Sequence, residues 1–110
     1  MNETTTKRPP VVYLAGPIAE VEHYWEPFEE ADDILHSLGV VVLNPARLPQ
    51  GMNKRDYMML CLQMIDTADV VLLLEGWDRS DGATLERDFC RYVGKPVVHN
   101  IYAAREVIGV

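Results

Sequence analysis

A chain of 110 residues has room for one domain and not two, and 48% hydrophobic with 25% charged residues is the balance of a folded globular protein. A formal net charge of -7 repels phosphate backbones, which argues against a DNA or RNA polymer as partner but leaves room for a small anion held by backbone N–H groups. Two cysteines, Cys61 and Cys90, are too few for a disulfide scaffold and have no metal-ligand spacing, and no apolar run approaches the roughly 20 residues of a membrane span.

These features set the expectation of a cytoplasmic domain with no membrane, no metal and no other cofactor. Residues 1–9 are polar, lack an apolar leader core and end at Pro9-Pro10, so they read as a disordered arm before a domain over 10–110. Val11-Val12-Tyr13-Leu14-Ala15, stopped by Gly16-Pro17, reads as a buried strand. From His23 to Leu38, apolar residues at Trp25, Phe28, Ala31, Leu35 and Leu38 recur in steps of three and four, which predicts an amphipathic helix closed by Gly39. Val40–Leu43 is a second strand, ended by Asn44-Pro45, and Ala46–Met52 is a loop. A helix is predicted over Lys54–Thr67, then the apolar strand Val70–Leu74, the polar loop Glu75–Asp81 and a helix from Gly82 to about Val93. Pro96–His99 forms a fourth, shorter strand, and Tyr102–Val107 a last helix.

Strands separated by helices of more than ten residues need right-handed crossovers. The fold class is therefore α/β: a single flavodoxin-like or Rossmann-like three-layer sandwich on a parallel sheet of four or five strands. Ligands in such sheets bind beyond the C-terminal strand ends, which gathers the Gly16-Pro17 turn, the Asn44-Pro45 turn and the 75–81 loop on one rim. The densest polar set is Ser80-Asp81-Gly82-Ala83-Thr84-Leu85-Glu86, which leaves a buried strand and opens a helix. Ser80 or Asp81 can cap that helix, and a phosphate or ribose hydroxyl can approach the backbone at Gly82. Glu86, one turn in, is either a solvated first-turn carboxylate or a nucleophile facing the rim. Trp77 can stack on a base, although an aromatic after a strand more often packs. His23, His36 and His99 form no metal set, and Arg47 and Arg55 either meet an anion or stay solvated. Asp32-Asp33 lie within a helix rather than at a strand end, which excludes a phospho-receiver pair.

Tyr13-Leu14-Ala15-Gly16-Pro17, Val42-Leu43-Asn44-Pro45, and Ala68-Asp69-Val70-Val71 continuing through Gly76-Trp77 to Ser80–Glu86 together resemble the nucleoside 2-deoxyribosyltransferase-like superfamily. The resemblance covers roughly residues 10 to 100 and is nearest to a small DUF4406-type branch related to 2'-deoxynucleoside 5'-phosphate N-hydrolases. It implies cleavage of an N-glycosidic bond in a nucleoside or nucleoside 5'-monophosphate, as hydrolase or deoxyribosyltransferase. Glu86 would be the nucleophile, Tyr13 would orient it, Ser80 would hold a 5'-phosphate, and Gly16, Pro17 and Ile18 would line the opposite side of the sugar. Asn44, Trp77 and Gly82 complete the expected binding set, with a homo-oligomer sharing the active site. Where that superfamily carries an acidic aspartate, this chain has Cys61, leaving Asp66, Asp78 or Asp81 to supply the proton, with Asp81 taken as the catalytic candidate. The alternative is a catalytically weak nucleotide-binding or sensing module, and a third, blander reading is a partner-binding domain on the same scaffold. Met58, Met59, Leu62 and Met64 cover more than one helix face, which is the basis for expecting self-association.

Overall fold

The computed structural model describes residues 8–110, so most of the expected N-terminal arm lies outside the described residues. The elements run β1 (Val11–Ala15), α1 (Trp25–Ser37), β2 (Val41–Leu43), α2 (Lys54–Thr67), β3 (Val70–Leu73), α3 (Asp81–Val93), β4 (Val97–Val98) and α4 (Ile101–Ile108). The four strands form one parallel sheet in the order β2-β1-β3-β4, with Val12 beside Val42 on one side and Val70 on the other. The chain leaves β1 toward β2 and then crosses to β3 and β4. The strand order therefore reverses between β1 and β3, and a crevice opens above that point in sheets of this kind.

Alternation along β1 and β3 builds two cores. Val12, Leu14, Val70 and Leu72 face α1 and α4, where Phe28, Ala31, Leu35 and Ala104 cover them. Val11, Tyr13, Ala15, Val71 and Leu73 face α2 and α3, against Cys61, Ile65 and Cys90. All five β1 residues are buried, so β1 contributes to both cores, and each large apolar side chain so buried stabilises the fold by about 1.5–3 kcal/mol.

The helix starts carry side-chain caps where the sequence offers them. Asn53 accepts from the Asp56 N–H at 2.8 Å, Ser80 from Ala83 at 3.1 Å and Asn100 from Ala103 at 2.8 Å. The α1 start has none. Its approach from Ile18 is a series of turns in which Glu20 and His23 take the left-handed backbone, which starts the helix two residues later than predicted. At the opposite end of the sheet, Asp69 accepts the Val11 N–H at 2.7 Å and pairs with both Arg8 guanidinium nitrogens, at 2.8 and 2.9 Å. Asp69 is thus a corner staple, and Arg8 with the Val11 N–H holds its carboxyl below the usual carboxylate range.

Three of the four residues expected to mark a self-contact serve the interior: Met58, Leu62 and Met64 pack on the second core. Met59 stays exposed beside Leu60. Among the described residues, no helix is long and apolar enough to cross a membrane.

Candidate active site

Three elements converge on one polar cluster within the second core. From β1 comes Tyr13, whose side chain is fully buried and whose hydroxyl has no hydrogen-bond partner of ordinary geometry. From α2 come Tyr57, Cys61 and Ile65, at the four-residue spacing that keeps side chains on one helix face. From α3 come Ala83, Glu86 and Cys90, its three buried residues. A stripe at these spacings turns Glu86 inward, and only 5% of it remains exposed.

Electrostatics binds the cluster together. Burial pushes the Glu86 carboxyl up to about 7, while the Tyr13 hydroxyl and Cys61 thiol facing it pull in the opposite direction. No lysine, arginine or histidine pairs with it among the described residues. Burial, and then the Glu86 charge, raise Tyr13 well above the usual phenol range. Burial pushes Cys61 up to about 12 and Cys90 up to about 11. Tyr57 is raised mainly by burial, with the Glu86 charge acting in the same direction. The site thus holds one carboxylate that titrates near neutrality among groups that keep their protons.

Tyr57 also connects the cluster to an opening. Its Oη donates to the Pro45 carbonyl at 2.8 Å, and its ring lines a cleft of about 190 Å³ between the β1–α1 and β2–α2 loops. Ile18, Tyr24, Leu48 and Gln50 line the same cleft, and the Gln50 amide donates to Tyr24 Oη across it. A larger open depression, bounded by Arg8, Asp69 and Ile108, lies at the other end of the sheet, away from Glu86.

The remaining sequence candidates fall into distinct places. Gly16 sits where a Cβ would lie 3.2 Å from both Leu74 Cβ and Phe28 Cζ, so glycine lets the β1 turn close onto β3 and α1. Gly76 has φ +89, and a Cβ there would lie 3.3 Å from Pro17 Cγ, so the two rim turns abut. Ser80 caps α3, its oxygen accepting the Ala83 N–H, and its own O–H remains available as a donor. Gly82 lies under the Met58 methyl, which would be 3.6 Å from an added Cβ.

Four candidates stand apart from Glu86 or have other work. Asp81 is exposed at the first position of α3, and five residues of helix, about 140° of rotation, separate it from the Glu86 face. Its location suits a first-turn carboxylate that complements the helix dipole. Asn44 is committed within the fold: its Nδ2 donates to the buried Asp32 at 3.0 Å and its Oδ1 accepts the Ala46 N–H at 2.9 Å. Trp77 packs on the second core, with the Arg87 guanidinium 4.9 Å above its ring and the His99 ring 5.9 Å away. Arg47 is held by Glu29 through contacts of 2.6 to 2.9 Å.

Sequence reasoning missed the inward face of Tyr57 and the Tyr24–Gln50 contact. The signal for the first was its four-residue step to Cys61, whereas the second depends on two loops meeting in space.

This α/β architecture is that of the nucleoside 2-deoxyribosyltransferase-like superfamily. A 2-desoxiribosyltransferase from Leishmania mexicana superposes with a TM-score of 0.63 at 17% identity, over 83% of this chain and 63% of its own. A 2-deoxyribosyltransferase from the psychrotolerant bacterium Bacillus psychrosaccharolyticus superposes with a TM-score of 0.62 at 25% identity, over 79% of this chain and 69% of its own. The present chain therefore spans under two thirds of the length of the Leishmania protein. A comparison with curated proteins found no match. Residues 10–99 match the family described as domain of unknown function DUF4406, and the chain belongs to that family.

Proposed function

We propose that this protein cleaves the N-glycosidic bond of a deoxynucleoside or its 5'-monophosphate through a covalent intermediate on Glu86. The observation that carries the reading is a single carboxylate withdrawn from water, facing an unpartnered buried hydroxyl beneath the rim of the sheet. Structural likeness to two deoxyribosyltransferases supports the same class of substrate.

In the first step a Glu86 oxygen attacks the anomeric carbon. The bond from that carbon to the base nitrogen breaks, and its electron pair leaves with the base, which takes up a proton from solvent, returned when the attacking water of the second step loses its own. In the second step water, or a second base, attacks the same carbon and releases Glu86, so configuration is retained. Only the ionised carboxylate is a nucleophile, which places activity on the alkaline side of about pH 7 in the free protein. Tyr13 supplies a hydroxyl donor to Glu86 or to the sugar. The Ser80 O–H and the open N–H groups of α3 suit a 5'-phosphate and favour the monophosphate and water as acceptor. The cleft at Ile18, Tyr24 and Tyr57 suits a planar apolar group, and the Gly16-Pro17 turn, which abuts Gly76, would border the sugar. A second copy docking on the exposed Met59 and Leu60 would complete a cytoplasmic homo-oligomer.

One observation favours a second reading, a nucleotide-binding module with weak turnover. Cys61 holds its proton up to about 12 and is therefore a poor acid toward a departing base. The two readings separate in one experiment: the protein is incubated at substrate-level concentration with deoxynucleosides and their 5'-monophosphates, with free base and melting temperature both measured. Base release that Glu86→Ala abolishes supports the enzyme. Ligand-dependent stabilisation without any base supports the binding module.

A further inference from the structure

We propose that the outer face of α2 is a self-docking surface, on which a second copy of this chain packs its own α2 antiparallel, with Arg55 of each protomer paired to Asp66 of the other. The inference rests on the homo-oligomer of the functional reading, supplies its contact, and is tested without any substrate.

Four residues of α2 recur in steps of four, three and four: Arg55, Met59, Leu62 and Asp66. That spacing keeps them on one face of the helix. The face is turned outward: Arg55 and Asp66 are exposed, Met59 is 54% exposed, and Leu62, which rests on the second core, is half-buried. Neither charge is spent within the protomer. Among the described residues no cation pairs with the Asp66 carboxylate, and Arg55 reaches only Asp56, at 3.5 Å with both side chains largely in water. α3 packs beside α2 over the same core, so the outer faces of the two helices lie on one side of the sheet. There α3 presents Leu85 and Tyr92, exposed and seven residues apart. Two neighbouring helices thus offer apolar groups to solvent on the same side of the molecule, which marks a contact surface.

The α2 stripe is its own complement. Arg55 and Asp66 stand equally far from its midpoint, and so do Met59 and Leu62. A half-turn about an axis through that midpoint, perpendicular to the helix, reverses the direction of α2. It sets Arg55 opposite the copy's Asp66 and Met59 opposite the copy's Leu62, and each pair then occurs twice. Parallel packing in register gives no such match, since Arg55 would meet Arg55 and Asp66 would meet Asp66. The chain as a whole carries -7, so two copies repel in most orientations, and a face with one charge of each sign selects this one. An unrelated partner gains nothing from the symmetry of the stripe, whereas a second copy uses every part of it.

Sedimentation equilibrium at chain concentrations from about 1 to 300 μM tests the contact. The wild-type chain should form dimers whose Kd rises as salt screens the paired charges. Arg55→Glu and Asp66→Arg each bring like charges together at both ends of the contact, and each should raise that Kd at least about tenfold. Both replacements suit the helix dipole, an acid in the first turn and a base in the last, so each variant should fold, and circular dichroism checks that it does. Mixed in equal amounts, the two variants should recover dimers, because only the mixed pair sets opposite charges at both ends. A wild-type chain that stays monomeric throughout overturns the proposal. So do dimers that ignore both replacements, which would sit on another face, and variants that fail to pair on mixing. Base release by a strictly monomeric chain overturns the contact and leaves the functional reading standing. Dimers that respond as stated but release no base do the reverse.

Discussion

Replacing Glu86 by glutamine removes the one inward carboxyl group of the second core, and its effect on stability should depend steeply on pH. In the unfolded chain this group titrates near 4.5, and in the folded chain near 7. Between those values the folded state holds a proton that the unfolded state has released, so stability falls as pH rises through the window. Below 4.5 both states are protonated and no difference remains. Above 7 both are ionised, and the full penalty of the buried charge, about 3 kcal/mol at roughly 1.4 kcal/mol for each pH unit, weighs on the fold. Glutamine cannot ionise. Glu86→Gln should therefore gain about 3 kcal/mol relative to the wild type between pH 4.5 and pH 8, whatever constant cost its amide brings. Urea unfolding of both proteins at several pH values measures this directly, because every other titrating group is common to the two and cancels. At about 4 °C per kcal/mol for a domain of this size, the same difference appears as roughly 12 °C in relative Tm. A stability difference constant from pH 4.5 to 8 would mean that Glu86 is solvated in the folded state, and the argument for a withdrawn carboxylate would fail.

Other consequences follow from named contacts. Tyr13→Phe deletes a buried hydroxyl that has no partner, so equilibrium unfolding should show a change within about 1 kcal/mol, while base release falls at least about tenfold. Asn44→Ala removes the donor to the buried Asp32 and the cap on Ala46 together; chemical denaturation should show a loss of about 2–3 kcal/mol, with ligand-induced stabilisation retained. That result would assign Asn44 to the fold, whereas unchanged stability with lost ligand response would return it to the binding surface.

Much of the architecture was legible because the signals were local and mutually consistent. β1 and α2 stand at the residues that pattern and breakers indicate, Val11–Ala15 and Lys54–Thr67, and the parallel direction of the strands follows from the lengths of the helical crossovers. β4 shortened to Val97–Val98 because only β3 is there to pair with it. For Glu86 the sequence left two readings, a solvated first-turn carboxylate and an inward one, because its burial depends on Ala83 and Cys90 sharing its face and on α2 packing against α3. The role of Asn44 was hidden because its partner, Asp32, lies twelve residues back in the middle of a helix. Met58, Leu62 and Met64 looked surplus to one helix face in a linear reading, yet the second core is broad enough to take all three. The cleft at Tyr24, Gln50 and Tyr57 joins two loops and a helix, and no pattern within any one of them announces it.

The central claim is that Glu86 forms a covalent bond to the sugar. Mass spectrometry of the protein quenched in acid during turnover of a 2-fluoro-substituted deoxynucleoside 5'-monophosphate, followed by peptide mapping, tests it most directly. A sugar-phosphate adduct is expected on the peptide carrying Glu86, absent from Glu86→Gln. Base release with no adduct on that peptide, or release undiminished in the glutamine variant, would contradict it.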